Sequence, residues 1–332
     1  MPVLAEVRRG GAVESVHRGG VVAADASGQI VAACGDPDLR SFTRSSIKPI
    51  QALPLVADGG LVQFELSRSE LAVICGSHTG EPMHVAAVRS ILRKIDLDEH
   101  ALQCAGDWPY HQPTADAMRA RGEAPGPIHD NCSGKHAGML ALARLHGWEH
   151  AAYRQIDHPV QQRIREALVA LTASPAAVAT PRIDGCGVPT YHVTLRDLAA
   201  AFTRLAAPNV LPPPWRDAAR SVVGAMTGFP EMVAGTDRLE TVVMGVADGR
   251  LVVKGGAEAI VGVGAPQRRL GLALKIEDGG ARAVGPVLIE ALRQLAFLSE
   301  DDVHVLAPLH HPPVLDRQGS QVGEIASVFR LQ

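Results

Sequence analysis

Ser45-Ser46-Ile47-Lys48-Pro49-Ile50-Gln51-Ala52-Leu53-Pro54-Leu55-Val56-Ala57 is where the chain changes its period. Upstream, Val13–Gly19 and Gly19–Gly35 carry β-branched and small residues around a Ser27-Gly28 turn, the composition of a hairpin. From Ser45 onward the apolar residues Ile47, Ile50, Leu53 and Val56 recur at helical spacing. Pro49 suits the first turn of a helix and Pro54 interrupts it, so a short or kinked helix is expected.

The helical period then dominates. Helices are expected over Arg68–Ile74, ended by Gly76, and from Pro82 through Val85, Val88, Ile91 and Leu92. Residues from about Cys104 to Cys132 are rich in Pro, Gly, Asp and His and read as a long loop, of the kind that is functional in compact domains. Further helices are expected at Lys135–Leu145, Pro159–Leu171, Leu195–Leu205, Trp215–Met226 and Pro286–Leu298. Thr241–Val246, Leu251–Val253, Ala259–Val263 and the stretch from Leu270 to Gly280 read as strands. Helices enclosed between two groups of strands predict an α/β chain (an α+β sandwich), with an antiparallel-rich central sheet flanked by helices. No linker divides it, so residues 1–332 are expected to form one domain, with a helical subdomain around 82–230.

Composition narrows the function. The chain has 332 residues, 46% hydrophobic and 4% aromatic, ample for a buried core, and its net charge of −3 offers no general attraction for nucleic acid or anionic membrane. No apolar run reaches the ~20 residues of a membrane helix. The segment Met1–Gly10 lacks the basic start and apolar stretch of a secretory signal, so a cytoplasmic protein is expected. Five cysteines in a reducing compartment favour thiol, metal or buried roles over disulfides.

Three elements carry chemistry. Ser45 and Lys48 form S-x-x-K, which on one helical turn faces the amine toward the hydroxyl. Serine is a poor nucleophile until a base takes its proton, and a lysine serves as base only where burial or a neighbouring positive charge lowers its pKa. By itself the motif is more often chance. Ser77 adds weight, standing in the Gly-bounded turn Cys75-Gly76-Ser77-His78-Thr79-Gly80-Glu81 between two helices. Lys254-Gly255-Gly256 follows on a late strand, where the glycines admit close backbone approach. S-x-x-K, a middle serine and a late K-x-G are the parts of the serine β-lactamase and penicillin-binding-protein site. A further pair of Gly-rich turns, Asn131-Cys132-Ser133-Gly134-Lys135-His136 and Asp184-Gly185-Cys186-Gly187, could jointly hold zinc, with His136 or Lys135 and a carboxylate completing the shell. Two unrelated free cysteines are the plainer reading of that spacing alone.

In order, the blocks RSSIKP, CGSHTGE, HDNCSGKHAGML, DGCGVP and KGGAEAI resemble the rhizobial-type (class 3) L-asparaginases of the asparaginase II family, over most of the chain from His17 to the strand after Lys254. The resemblance implies a fold related to serine β-lactamases, a homodimer, and hydrolysis of L-asparagine to L-aspartate and ammonia. It places Ser45 with Lys48 and Ser77 with Lys254 as two serine–lysine pairs. Cys132, Lys135 and Cys186 fall on a zinc site with a lysine ligand, and Asp184 beside it on the residue that holds the metal-bound water. Arg44, His136 and Gly255 fall near the substrate. The competing readings are a penicillin-recognising hydrolase or peptidase, and a non-catalytic zinc-binding protein.

Overall fold

The computed structural model describes all residues 1–332, and they form two compact units. The first comprises residues 1–46, 193–207 and 242–332; the second comprises 47–192 and 208–241.

The first unit is built on an eight-stranded sheet in which every pairing is antiparallel. Its order is Pro313–Leu315, Gln321–Ser327, Val3–Arg9, Ala12–Ala24, Leu270–Ile276, Ile260–Ala265 and Val252–Gly256, with Ile30–Cys34 also paired to Ala12–Ala24. The strand Ala12–Ala24 is long enough to serve three partners: its first half pairs with Val3–Arg9 and its second with Leu270–Ile276 and Ile30–Cys34. The expected hairpin is present, with Gly28 at φ +88°.

The helix Leu195–Ala206 lies on this sheet and is buried except at Arg196 and Asp197. It can do so because three strand positions have no side chain. A Cβ at Gly271 would stand 2.2 Å from Ala199 O, one at Gly264 2.6 Å from Ala206 Cβ, and one at Gly262 2.0 Å from the Phe202 ring. Phe202 is fully buried, and the Thr203 hydroxyl donates to Ala24 O at 2.8 Å. Gly271→Ala meets backbone that cannot rotate away, so it is expected to cost about 1–3 kcal/mol, the usual cost of overpacking. The check is a urea midpoint that falls with unchanged slope.

The second unit is helical. Lys48–Ala57 packs on Pro213–Gly228, Pro159–Thr172 and Ser133–His146, and Arg68–Ile74 packs on Pro213–Gly228 and Ser133–His146. Every residue from Ser133 to Ala143 is buried, so that helix is the centre of the unit. Gly134 and Gly138, four residues apart on one face, explain the close packing. A Cβ at Gly134 would sit 2.3 Å from Val73 O, and one at Gly138 would sit 2.5 Å from Ile74 Cγ2. The contact sets the start of the central helix against the end of Arg68–Ile74, where the turn carrying Ser77 begins. That juxtaposition builds the site.

Two local expectations are corrected. Thr241–Val246 is helix, within Leu239–Ala247, rather than strand. The loop expected from Cys104 to Cys132 contains the helix Gln112–Ala120, with Pro113 in its first turn. The helix that carries Pro54 is short, as expected: it runs ten residues, from Lys48 to Ala57, after a 3₁₀ turn at Arg44–Ile47. No helix is long and apolar enough to cross a membrane.

Candidate active site

Lysine is almost never fully buried without a partner. This chain has only five lysines, yet Lys48 and Lys254 are 0% exposed and Lys135 3%. All three lie in the motifs above.

In the second unit the amine of Lys48 has three oxygen neighbours: Gly76 O at 2.7 Å, Ser77 Oγ at 2.9 Å and Asn131 O at 3.3 Å. The sequence reading pairs Lys48 with Ser45; the hydroxyl that its amine touches in this unit is that of Ser77. The turn holding Ser77 is pinned at both ends. Gly76 N donates to Val73 O, Ser77 N to Val233 O at 2.8 Å, and His78 N to Asn131 O at 3.2 Å. A Cβ at Gly76 would stand 2.7 Å from Val233 O, so the motif needs glycine there. Glu81 closes the turn: its carboxylate accepts from Thr79 Oγ1 at 2.5 Å and from Thr236 N and Oγ1 at 3.0 and 2.6 Å. The fully buried His78 accepts from Gly80 N at Nδ1 and meets Ser133 Oγ at Nε2, 2.9 Å away. It thereby ties the serine turn to the start of the central helix.

That helix start also carries the thiol cluster. Cys186 sits at the tip of a small hairpin in which Arg182–Ile183 pairs with Pro189–Thr190. Lys135 Nζ donates to Cys186 Sγ at 2.8 Å, Asp184 Oδ2 lies 4.0 Å from that sulfur, and the Cys132 thiol lies 3.0 Å from Asn131 Oδ1. A hydrogen bond from Cys132 lowers the Cys186 thiol to about 5, against burial and with help from Lys135. The same bond, with burial, raises Cys132 to about 11. Burial opposes the charge on Lys135, but the two sulfurs and Asp184 outweigh it and push its pKa up. Asp130 is raised to about 6, by burial first and by Cys132 second, and its Oδ1 accepts from Cys132 N at 2.6 Å. Burial, with Lys135 beside it, pushes His136 well below the usual imidazole range.

No three His, Cys, Asp or Glu side chains gather anywhere in the chain as a metal-binding group. A metal held here would therefore need the Lys135 nitrogen with the two sulfurs. The donor set fits zinc once Cys132 and Lys135 give up their protons, since the two sulfurs and the Lys135 nitrogen already converge in a buried position.

In the first unit, Arg44 adopts φ +47°, uncommon for a residue with a side chain, immediately before the half-buried Ser45. A Cβ at Gly256 would stand 3.0 Å from Ser46 N and 3.1 Å from Ser45 N. The strand Val252–Gly256 thus runs bare beside those two amides. Lys254 Nζ donates to Gly255 O at 2.6 Å.

Sequence reasoning did not find Asn131, which acts through its carbonyl and so leaves no side-chain pattern. It also missed His78, Tyr153 and the Glu81–Thr236 clamp. The scarcity of lysine was an available signal that this chemistry is concentrated at three positions.

A buried amine against a serine hydroxyl is equipment of hydrolases that use nucleophilic catalysis. The chain belongs to the L-asparaginase II family, whose sequence model matches residues 5–327, and as such is an amidohydrolase. No curated protein matches the sequence. Among solved structures, the protein Mglu is similar at 17% identity and a TM-score of 0.38, over 87% of this chain. This chain spans 59–67% of the Mglu chains' own length. A β-lactamase of Mycobacterium bovis is similar at 16% identity and a TM-score of 0.43, covering 84% of this chain and 95% of that one. A D-alanine carboxypeptidase of Burkholderia cenocepacia is similar at 13% and 0.40, covering 85% and 94%.

Proposed function

We propose that the protein hydrolyses the side-chain amide of L-asparagine to L-aspartate and ammonia by serine–lysine catalysis. The observation that carries this reading is the setting of Lys48. Its nitrogen donates to Gly76 O, Ser77 Oγ and Asn131 O; in the proposed reaction the two carbonyls keep its N–H groups when it acts as a neutral amine and its lone pair turns to Ser77 Oγ. The carbonyls fix the amine for proton exchange with a hydroxyl.

In the proposed reaction Ser45, on the turn that leads into Lys48, attacks the amide carbon. Its proton passes to the Lys48–Ser77 pair and on to the leaving nitrogen; the C–N bond breaks and ammonia departs. Water then cleaves the ester, returning the proton to Ser45 and releasing aspartate. The Ser45 amide, beside the bare strand at Gly256, is the proposed donor for the developing oxyanion. Ammonia release from L-asparagine, with L-glutamine and a chromogenic cephalosporin alongside, tests the reading. Turnover of the cephalosporin and not of asparagine would move the protein to the penicillin-recognising class.

Cys132, Lys135 and Cys186 are the proposed zinc ligands, with Asp184 beside them. Zinc there would supply positive charge to orient the substrate's anionic group. Cys186, lowered to about 5, is already a thiolate at pH 7, whereas Cys132, raised to about 11, and Lys135 are protonated. Binding should therefore release about two protons per zinc, and affinity should fall as pH is lowered. Titration calorimetry in buffers of different ionisation enthalpy measures the protons. Cys132→Ala should lower zinc content and raise KM. Full zinc retention with unchanged kinetics would remove the assignment.

A further inference from the structure

His136 leaves one feature that the proton-exchange scheme does not use. Its ring is fully buried, Nδ1 lies 2.6 Å from the Tyr153 hydroxyl, and Nε2 is buried with no hydrogen-bond partner. A buried imidazole nitrogen without a partner is costly to keep unless something from outside the chain completes it.

Which nitrogen carries the proton follows from Tyr153. That side chain is 0% exposed, and its oxygen already accepts from Gln103 N at 3.0 Å. Gln103 is itself fixed, since its Nε2 donates to Ala151 O and its Oε1 accepts from Arg154 Nε at 2.7 Å. Gln161 Nε2 donates to Tyr153 O at 2.8 Å and holds the tyrosine backbone from the other side. The phenol hydrogen has one acceptor within reach, Nδ1 of His136. Were Nδ1 protonated instead, both hydrogens would point into one contact and the buried phenol would lose its acceptor. Nδ1 therefore accepts, and the ring proton sits on Nε2. A doubly protonated ring fails on the same ground.

We propose that Tyr153 is a positioning residue that holds His136 as its Nε2–H tautomer, so that His136 presents a buried hydrogen-bond donor to the α-carboxylate of the substrate. The location fits an anionic group, because Arg154, which stays a cation throughout, is among the side chains whose charge the ring feels. The assignment also separates His136 from the metal site. An Nε2–H has no lone pair to give and the Nδ1 lone pair is taken by Tyr153, so the nitrogen ligand of the thiol cluster is Lys135. The tautomer stands on geometry alone, while its use for substrate rests on the asparaginase reading.

The test is a long-range proton–nitrogen correlation spectrum of the full chain labelled with ¹⁵N-histidine, in which the two neutral tautomers have different signatures. His136→Gln identifies the His136 signals by their loss. The expected result is Nε2–H in the wild type and a shift toward Nδ1–H in Tyr153→Phe, which frees the Nδ1 lone pair. The same variant should raise KM for L-asparagine about tenfold or more while kcat changes by less than about threefold, the loss expected of one hydrogen bond to a charged group. A wild-type ring protonated at Nδ1 overturns the proposal, and this can be read even if Tyr153→Phe does not fold. A tautomer unmoved in Tyr153→Phe overturns the positioning role, and a moved tautomer with unchanged KM overturns the donor role. Absence of asparagine turnover by the wild type would defeat the proposed function and leave the tautomer result standing.

Discussion

Replacing Lys48 with methionine is expected to lower kcat for L-asparagine by ~10³–10⁴-fold, the upper part of the range for loss of a positioned base, and to leave the chain folded. The two effects can be separated by magnitude. That loss of rate corresponds to about 4–5.5 kcal/mol of barrier. Methionine keeps the length of the buried side chain but leaves Gly76 O and Asn131 O without their lysine donor. Asn131 O still accepts from His78 N, so the stability cost is chiefly that of one orphaned carbonyl, about 1–3 kcal/mol. Urea titration measures the second number and steady-state ammonia release the first. A folded Lys48→Met that keeps a tenth or more of the wild-type kcat would remove Lys48 from the reaction. A loss of activity no larger than the loss of folded protein would make it a structural lysine.

The helices were legible where caps and punctuation agreed. Ser67, Glu70 and Gly76 bracket one helix, with a capping box in which Glu70 N donates to Ser67 Oγ and Ser67 N to Glu70 Oε2. Pro82 opens the next. Legibility failed where local preference and tertiary context parted. Thr241-Val242-Val243-Met244 has the β-branched content of a strand, yet Val243, Met244 and Ala247 make a buried face at helical spacing, and burial overrides a weak propensity. Gln112–Ala120 was hidden because only Ala115 and Met118 are buried, too few for a visible period.

The site divides along the same line. Side chains in motifs, such as Ser77, Lys48, Cys132 and Cys186, announce themselves by type and spacing. Gly134 and Gly138 also stand in a motif, but their reason appears only when Val73 and Ile74 are seen against them. Asn131 O and Tyr153 are invisible in principle, one because any residue has a carbonyl, the other because it stands 17 residues from His136 with nothing between to link them.

The two serines are expected to part company under covalent capture. In acid-quenched enzyme turning over L-asparagine, peptide mapping should find the β-aspartyl ester on Ser45. Ser45→Ala should form no adduct and lose roughly five to six orders of magnitude in kcat, as loss of a nucleophile does elsewhere. Ser77→Ala should be milder, about 10²–10⁴-fold, because it removes a proton carrier and not the attacking atom, and its residual adduct should still map to Ser45. The physical ground is the difference between the two surroundings. Ser45 follows a residue at positive φ and has its own amide beside the bare strand at Gly256, where an oxyanion can be met. Ser77 has its amide already committed to Val233 O and its hydroxyl against the Lys48 amine, the position of a proton carrier. An ester found on Ser77, in the wild type or in Ser45→Ala, would reverse the two roles. Lys48 would keep its function as base, because its contact with Ser77 then becomes the base–nucleophile contact itself.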